Sequence, residues 1–379
     1  MQRLRGIIIL LVSLLFLSLT AGCISVQTGT DSSLRSAALQ PDWLVSSQLL
    51  EQARLKMLWQ NEMPFRADES LEKLFIVGNR IYVLSDRNLL LSLNRENGGV
   101  VFSRFIAPAG IPAVGLDLYN DELISVIGNR LVEIDPETGI ERKAKALESG
   151  VVCPVVRNSS FFYISWPDKR LHALNADNKL QVFEVTADND SMITSVIADE
   201  EFVVLGTDEG NVIGITPDGP KKLWQFDAPG AITGPIVRDR RQLFFASKDT
   251  NVYRIDIVNP TTIDLVWKYQ IPSIPLEAPR VTRRVVYQYA PAKGLVAIDK
   301  QRGTLLWLLP QGVDLLAEAD GKAFVFTNDK TLAVMDNTRK KLLYTVNFAE
   351  VSIYTANTKD SKIYIADKRG RIACLEPVK

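Results

Sequence analysis

Few side chains in this 379-residue chain could attack a substrate, move a proton or hold a metal. His172 is the one histidine, in KRLHALN. A catalytic or ligating histidine needs a nucleophile, carboxylate or second ligand placed with it, and the surrounding sequence supplies no such motif. It reads as a strand residue at a sheet surface. Cys153 (VVCPVV) and Cys374 (RIACLE) are far apart, inside apolar patterns, with no metal or redox spacing. They are expected to be buried free thiols. Asp188 and Asp190 in ADNDS suggest calcium, but the EF-hand spacing and its distal Glu are missing. Asp and Asn bond their own backbone in turns, which accounts for them. No phosphate loop, His-Glu metal motif or nucleophile elbow is present. The expectation is no catalytic residue, no metal and no cofactor.

What remains is recognition by surface charge and shape. Lys plus Arg and Asp plus Glu are both 44, so there is no general attraction to nucleic acid, and local patches must carry any electrostatic contact. Basic residues gather in short turns: Arg238, Arg240 and Arg241 in RDRR, Arg283 and Arg284 in TRR, the DKQR turn at 299–302, and Arg339, Lys340 and Lys341 in NTRKK. These are the candidate partner-binding residues. A second candidate surface is apolar and proline-bearing: APAGIPAVG (107–115), DAPGA (227–231) and QIPSIPLE (270–277), with Ile111, Pro112, Ile274 and Pro275 at its tips.

The elements that hold these turns repeat. An apolar residue followed by Asx, Thr or Glu closes a strand at Leu93-Asn94, Ile134-Asp135, Leu174-Asn175, Ile215-Thr216, Ile255-Asp256, Ile298-Asp299, Met335-Asp336 and Leu375-Glu376. The spacings are 41, 40, 41, 40, 43, 37 and 40 residues, a propeller's period. Turns such as GNR, SDRN, TDEG and DKRG separate short strands rich in Val, Ile, Tyr and Phe. Eight positions past the Asx stands an aromatic: Phe102, Phe183, Trp224, Trp307 and Tyr344, with Trp267 displaced by an insertion near NPTT. In the second unit that position is Lys143, a departure. An aromatic there can cover the seam between blades, where it buries a large area.

The eighth unit has no such strand after Glu376, while LKMLWQNEM (55–63) carries an aromatic, Trp59, ahead of the first unit. An open sheet edge is a pairing liability. The sequence therefore predicts an all-β, eight-bladed propeller of four-stranded antiparallel blades over 53–379. The N-terminal strand completes the last blade and Trp59 is its closing aromatic.

These blades, with turns like DPETG (135–139) and DKQRG (299–303) ahead of an aromatic strand, resemble the quinoprotein-type (PQQ-like) repeat. The Gly-His and Trp-Asp signatures of WD-repeat propellers are absent. At the N-terminus, Arg3 and Arg5 precede an apolar run from Ile7 to Leu19, too short to span a bilayer and right for a secretory signal. It ends in LTAGC, which resembles the lipobox of bacterial lipoproteins, with Cys23 as the lipidated residue. Residues 1–22 are then a signal peptide and 23–52 a polar tether with a short helix capped at Ser47. Ile24 follows Cys23 in place of the Asp that retains lipoproteins in the inner membrane of enteric bacteria. This favours the outer membrane, facing the periplasm.

A propeller of this repeat on such a signal is similar to the BamB-type lipoproteins of the outer-membrane β-barrel assembly machinery. The resemblance implies a non-catalytic protein-binding scaffold of the cell envelope. Its partners would be envelope proteins, the assembly machinery among them, and the membrane through the lipid anchor. The alternative is a quinone-dependent oxidoreductase or a small-molecule sensor using the central channel. Those enzymes' adjacent-cysteine disulfide and long active-site insertions have no counterpart here.

The anchor is testable alone. Cys23→Ser should move the protein to the soluble fraction or stall its processing, read by fractionation and intact mass. A membrane-bound, normally processed variant would exclude lipidation at Cys23.

Overall fold

The computed structural model describes residues 43–378. The signal segment 1–22, Cys23 and the tether as far as residue 42 lie outside the described residues. The described chain forms eight four-stranded antiparallel sheets, the blades of a propeller. Blade one shows the common plan: Leu71–Val77, Arg80–Ser85, Leu89–Asn94 and Val100–Phe105, paired in chain order. First strands of successive blades meet one another around the axis. The fourth strands lie outermost and are the more exposed.

The two middle strands of a blade are buried almost throughout. Both faces of each blade are covered by a neighbour, so these strands read as continuous apolar runs such as LLLSL instead of alternating. The fourth blade-strand departs from period two in a regular way. In every blade the register shifts beside the seam residue, as where Phe102 pairs with Ser92 but Val100 with Leu93. The same bulge recurs next to Lys143, Phe183, Trp224, Trp267, Trp307, Tyr344 and Trp59. A bulge re-aims a side chain. Here it turns the aromatic toward the next blade.

What the aromatic meets is a turn. In five blades the Asx carboxyl or amide oxygen accepts the backbone N–H groups two and three residues on. Asp299, for example, accepts Gln301 N at 3.0 Å and Arg302 N at 2.8 Å. Asn94, Asp135, Asn175 and Asp336 do the same. The residue four past the Asx then has a positive φ: Gly98 at 71°, Gly139 at 69° and Gly303 at 67°. A β-carbon on Gly98 would lie 2.4 Å from Trp59, one on Gly139 2.5 Å from Phe102, and one on Gly303 2.5 Å from Trp267. Each ring therefore rests on the turn glycine of the next blade. Trp59 Nε1 donates to Arg95 O (3.2 Å) and Trp267 Nε1 to Lys300 O (3.0 Å), fixing ring to turn.

The departure at Lys143 has a counterpart across its seam. Blade three carries Lys179, φ 59°, where the turns of blades one, two and six have glycine. With no ring to accommodate, the lysine reaches back to Glu133, the residue paired with Lys143, at 2.6 Å. Glu133 is 2% exposed, and Arg157 Nη1 stands 3.8 Å from it and 3.4 Å from Glu122. An ion pair thus stands in for an aromatic at this seam.

The eighth blade closes as expected: Ile353–Thr355, Ile363–Ala366 and Arg371–Pro377 are completed by Leu55–Glu62, from Leu55↔Pro377 to Glu62↔Arg371. The propeller body starts earlier than the expected residue 53, because Leu44, Val45 and Leu50 are buried in a cluster with Phe348, Val351 and Leu375. The segment 43–52 is packed structure and not tether. Its helix, Ser47–Gln52, is capped by Ser46, whose Oγ accepts Leu49 N, one residue ahead of the expected Ser47. Tyr344 Oη donates to Ala53 O at 3.0 Å, and Val378 N to Arg54 O at 2.8 Å. These bonds replace the covalent turn that blade eight lacks.

Trp59→Ala should cost about 3–5 kcal/mol. Removal of residues through Glu62 should abolish a cooperative melt by exposing the Arg371–Pro377 edge. Removal through Asp42 should leave the melting temperature unchanged, and equal melts for both truncations would refute closure. At the second seam, Lys179→Met should cost about 3–5 kcal/mol by stranding Glu133. The double variant Glu133→Leu/Lys179→Met should recover most of that in urea unfolding.

Candidate partner-binding face

Antiparallel pairing puts the turns between first and second strands, and those between third and fourth, at one end of every blade. All the basic candidates share that end. The first-to-second turns of blades one to seven have two-residue tips: Gly78-Asn79, Asn120-Asp121, Ser159-Ser160, Glu200-Glu201, Arg240-Arg241, Arg283-Arg284 and Asp320-Gly321. Blades five and six, side by side, each present two arginines.

The structure separates the candidates. Arg238 is bound into the fold: its guanidinium pairs with Asp199 of blade four, lies 4.4 Å over the Phe202 ring and donates to Arg240 O. Lys300, of the DKQR turn, is 2% exposed and clamps two turns by pairing with Asp239 and donating to Thr282 O at 3.0 Å. Arg241 reaches Glu201 at 3.8 Å with half its side chain exposed. Glu200 faces the other way and accepts from Ser159 Oγ (2.6 Å) and Tyr119 Oη (3.0 Å). The Ser159 hydroxyl holds the Glu200 carboxyl below its ordinary value, so the tip stays charged. Arg240, Arg283 and Arg284 are exposed and make no ion pair among the described residues. Arg339, exposed, pairs among the described residues only with Asp336, at 3.8 Å, beside exposed Lys340 and Lys341.

A cleft of about 1290 Å³ opens between blades five and six. It brings together Arg238, Arg240, Arg241 and Arg283, with Lys359 from the inner turn of blade eight. Arg284, Arg339, Lys340 and Lys341 do not line it. One wall carries Val258 and Val266, 50% and 42% exposed, on the long hairpin Asn251–Asn259 and Thr262–Gln270, and the exposed Asp264 stands beside them. Two further carboxylates of the lining are paired, Asp239 with Lys300 and Asp256 with Arg254. Lys359 and the valine wall were missed in the sequence, where Lys359 looks like any loop lysine and the insertion near NPTT was read only as a displacement.

At the opposite end, Ile111, Ile274 and Leu276 are exposed, whereas Pro275 is buried. The connection 106–112 is held by Asn88 Nδ2, which donates to Pro108 O (2.7 Å) and Ile111 O (2.8 Å).

The groups weighed for chemistry are engaged. His172 is 4% exposed, with Nε2 2.8 Å from Asp168 Oδ2, Nδ1 3.0 Å from Gln181 Oε1 and its ring against Trp166. It is thus more enclosed than a sheet-surface residue. Asp188 and Asp190 face Lys222 (3.3 Å) and Lys169 (2.9 Å). Cys153 and Cys374 are free and buried, and burial pushes both thiols up to about 12. Among the described residues no group of three His, Cys, Asp or Glu could hold a metal ion.

Comparison with known proteins gives a family and a fold. The family model described as outer membrane protein assembly factor BamB matches residues 49–219 and 208–377. Among solved structures, BamB from Moraxella catarrhalis superposes with a TM-score of 0.65 at 13% identity, over 85% of this chain and 97% of that one. The computationally designed Ika8 protein gives 0.64 at 14%, over 85% and 99%. The Cps50 (Swd1) β-propeller domain of Myceliophteria thermophila gives 0.53 at 14%, over 84% and 100%. Identities this low speak for the fold alone. No curated protein matches the chain.

Proposed function

The chain belongs to the BamB family of outer membrane protein assembly factors, and from that premise we propose that it is a non-catalytic, lipid-anchored scaffold that holds protein partners during β-barrel assembly at the periplasmic side of the outer membrane. The observation that carries this reading is the extent of the family match, which takes in all eight blades. Physical features support it. Ring-on-turn contacts fix the blades to one another, so the loops at the two ends project from a rigid frame, as binding surfaces require. The side chains best suited to chemistry are already committed: His172 by two hydrogen bonds, both thiols by burial. Cys23 supplies the anchor in this reading. The free arginines and the exposed isoleucines offer two chemically different faces to partners.

Loss of the protein should lower the amount of folded β-barrel proteins in the outer membrane, measured by heat-modifiable mobility of extracted porins. The wild-type chain should restore them and Cys23→Ser should not. Unchanged porin levels on loss would overturn the assembly role. Substrate turnover by the purified protein with added quinone and calcium would overturn the non-catalytic part.

A further inference from the structure

We infer that the cleft between blades five and six binds an extended acidic polypeptide segment, taking its carboxylates on the arginine rim and its apolar side chains on the valine wall. The first argument is turn chemistry. Two-residue hairpin tips favour Asn, Asp and Gly, which tolerate a positive φ. Blades one, two and seven obey that rule with Gly78-Asn79, Asn120-Asp121 and Asp320-Gly321. Blades three and four depart from it with Ser159-Ser160 and Glu200-Glu201, and blades five and six with Arg-Arg; of these four departing tips Arg240 alone takes a positive φ, 59°, where a β-carbon is strained. Local rules are broken where a site needs a particular side chain.

The second argument is charge. The acidic tip of blade four, Glu200-Glu201, is answered by Ser159, Tyr119 and Arg241. Arg238 and Lys300 are answered by Asp199 and Asp239. Arg240, Arg283, Arg284 and Lys359 have no ion-pair partner among the described residues. Three of these four line the cleft, and Arg284 adjoins it on the blade-six tip. Of the lining carboxylates Asp264 alone has no ion pair among the described residues, so Arg240, Arg283 and Lys359 leave the cleft net positive. Net positive charge in a concavity raises the local concentration of anions, and the guanidinium fork matches a carboxylate with two parallel bonds.

The third argument is shape. A volume of about 1290 Å³ exceeds what one small anion fills, and the lining runs from Val266 on an outermost strand inward to Lys359. An extended segment alternating carboxylate and apolar residues meets rim and wall in turn. An anionic bilayer fits less well. The same end of the ring carries Asp121, Glu200, Glu201 and Asp218, all exposed or half-buried, which a flat negative surface would meet together with the arginines.

The test needs no assembly machinery, so its failure leaves the scaffold reading standing, and failure of the porin assay leaves the cleft standing. The full chain in detergent is titrated by fluorescence anisotropy with a labelled peptide of alternating Glu and Val, with its Gln-for-Glu counterpart, and with vesicles containing phosphatidylglycerol. The Glu probe should bind at least about tenfold more tightly than the Gln probe, and its affinity should fall as salt rises. Arg240→Glu/Arg283→Glu/Arg284→Glu should lose at least about tenfold with an unchanged melting temperature. Arg339→Glu/Lys340→Glu/Lys341→Glu, on the same end but outside the cleft, should bind like wild type. Val266→Ser should weaken the Glu probe without altering its salt dependence. Equal binding of the two probes, a flat salt response, or equal losses from both triple reversals would overturn the proposal. Vesicle binding without probe binding would replace it with a membrane surface.

Discussion

A ring from one blade lying on the left-handed turn residue of the next is the contact on which the propeller depends. It explains three features that otherwise look separate. The fourth strand bulges beside the seam position in every blade, and where an aromatic stands there the bulge lets it leave its own sheet to reach the neighbour. The turn begins with Asx because a side-chain oxygen must hold two backbone N–H groups while the chain reverses. It ends in glycine where a β-carbon would occupy the ring's place. Strain in the turn and burial of the ring are one arrangement seen from two blades.

The exceptions obey the same constraint. Blade five prolongs its outer hairpin to Asn259 and Thr262, which removes the short turn from the fourth seam, and Trp224 Nε1 is left buried without a protein partner. In blade seven Lys340 takes the left-handed position, and Trp307 Nε1 bonds the Asn337 side chain at 2.8 Å instead of a backbone carbonyl. Between blades two and three the ring and the glycine are both gone, replaced by Glu133 and Lys179. A seam can change on one side, as where Trp224 and Trp307 keep their places against altered turns, or on both, as between blades two and three.

This coupling also decides how much was legible in the sequence. Asx turns and their aromatics are local and recur at a fixed distance, so the blade count, the strand order and the role of Trp59 could be counted out. Lys143 stood out as a departure, but its replacement pairs residues of two different blades, and no local pattern links Glu133 to Lys179. The basic turns were visible as composition, whereas their division was not. Arg238 and Lys300 are consumed by Asp199 and Asp239, partners more than 30 residues away, while Arg240 and Arg283 are free. Leu44 and Val45 follow a polar stretch and carry no periodic signal, so their packing into the body is not legible in the sequence.

The strand that completes the eighth blade is the first part of the propeller to be synthesised and its partner the last. Leu55 must wait for Pro377, so a chain emerging N-terminus first can form its inner blades while the ring stays open. Contacts between residues this distant in sequence are slow to form, because the loop-closure entropy comes before any reward. Closure is then a late and single event that reports on the integrity of the whole chain. A product truncated anywhere before Arg371 leaves Leu55–Glu62 without its partner strand and the ring with an open edge.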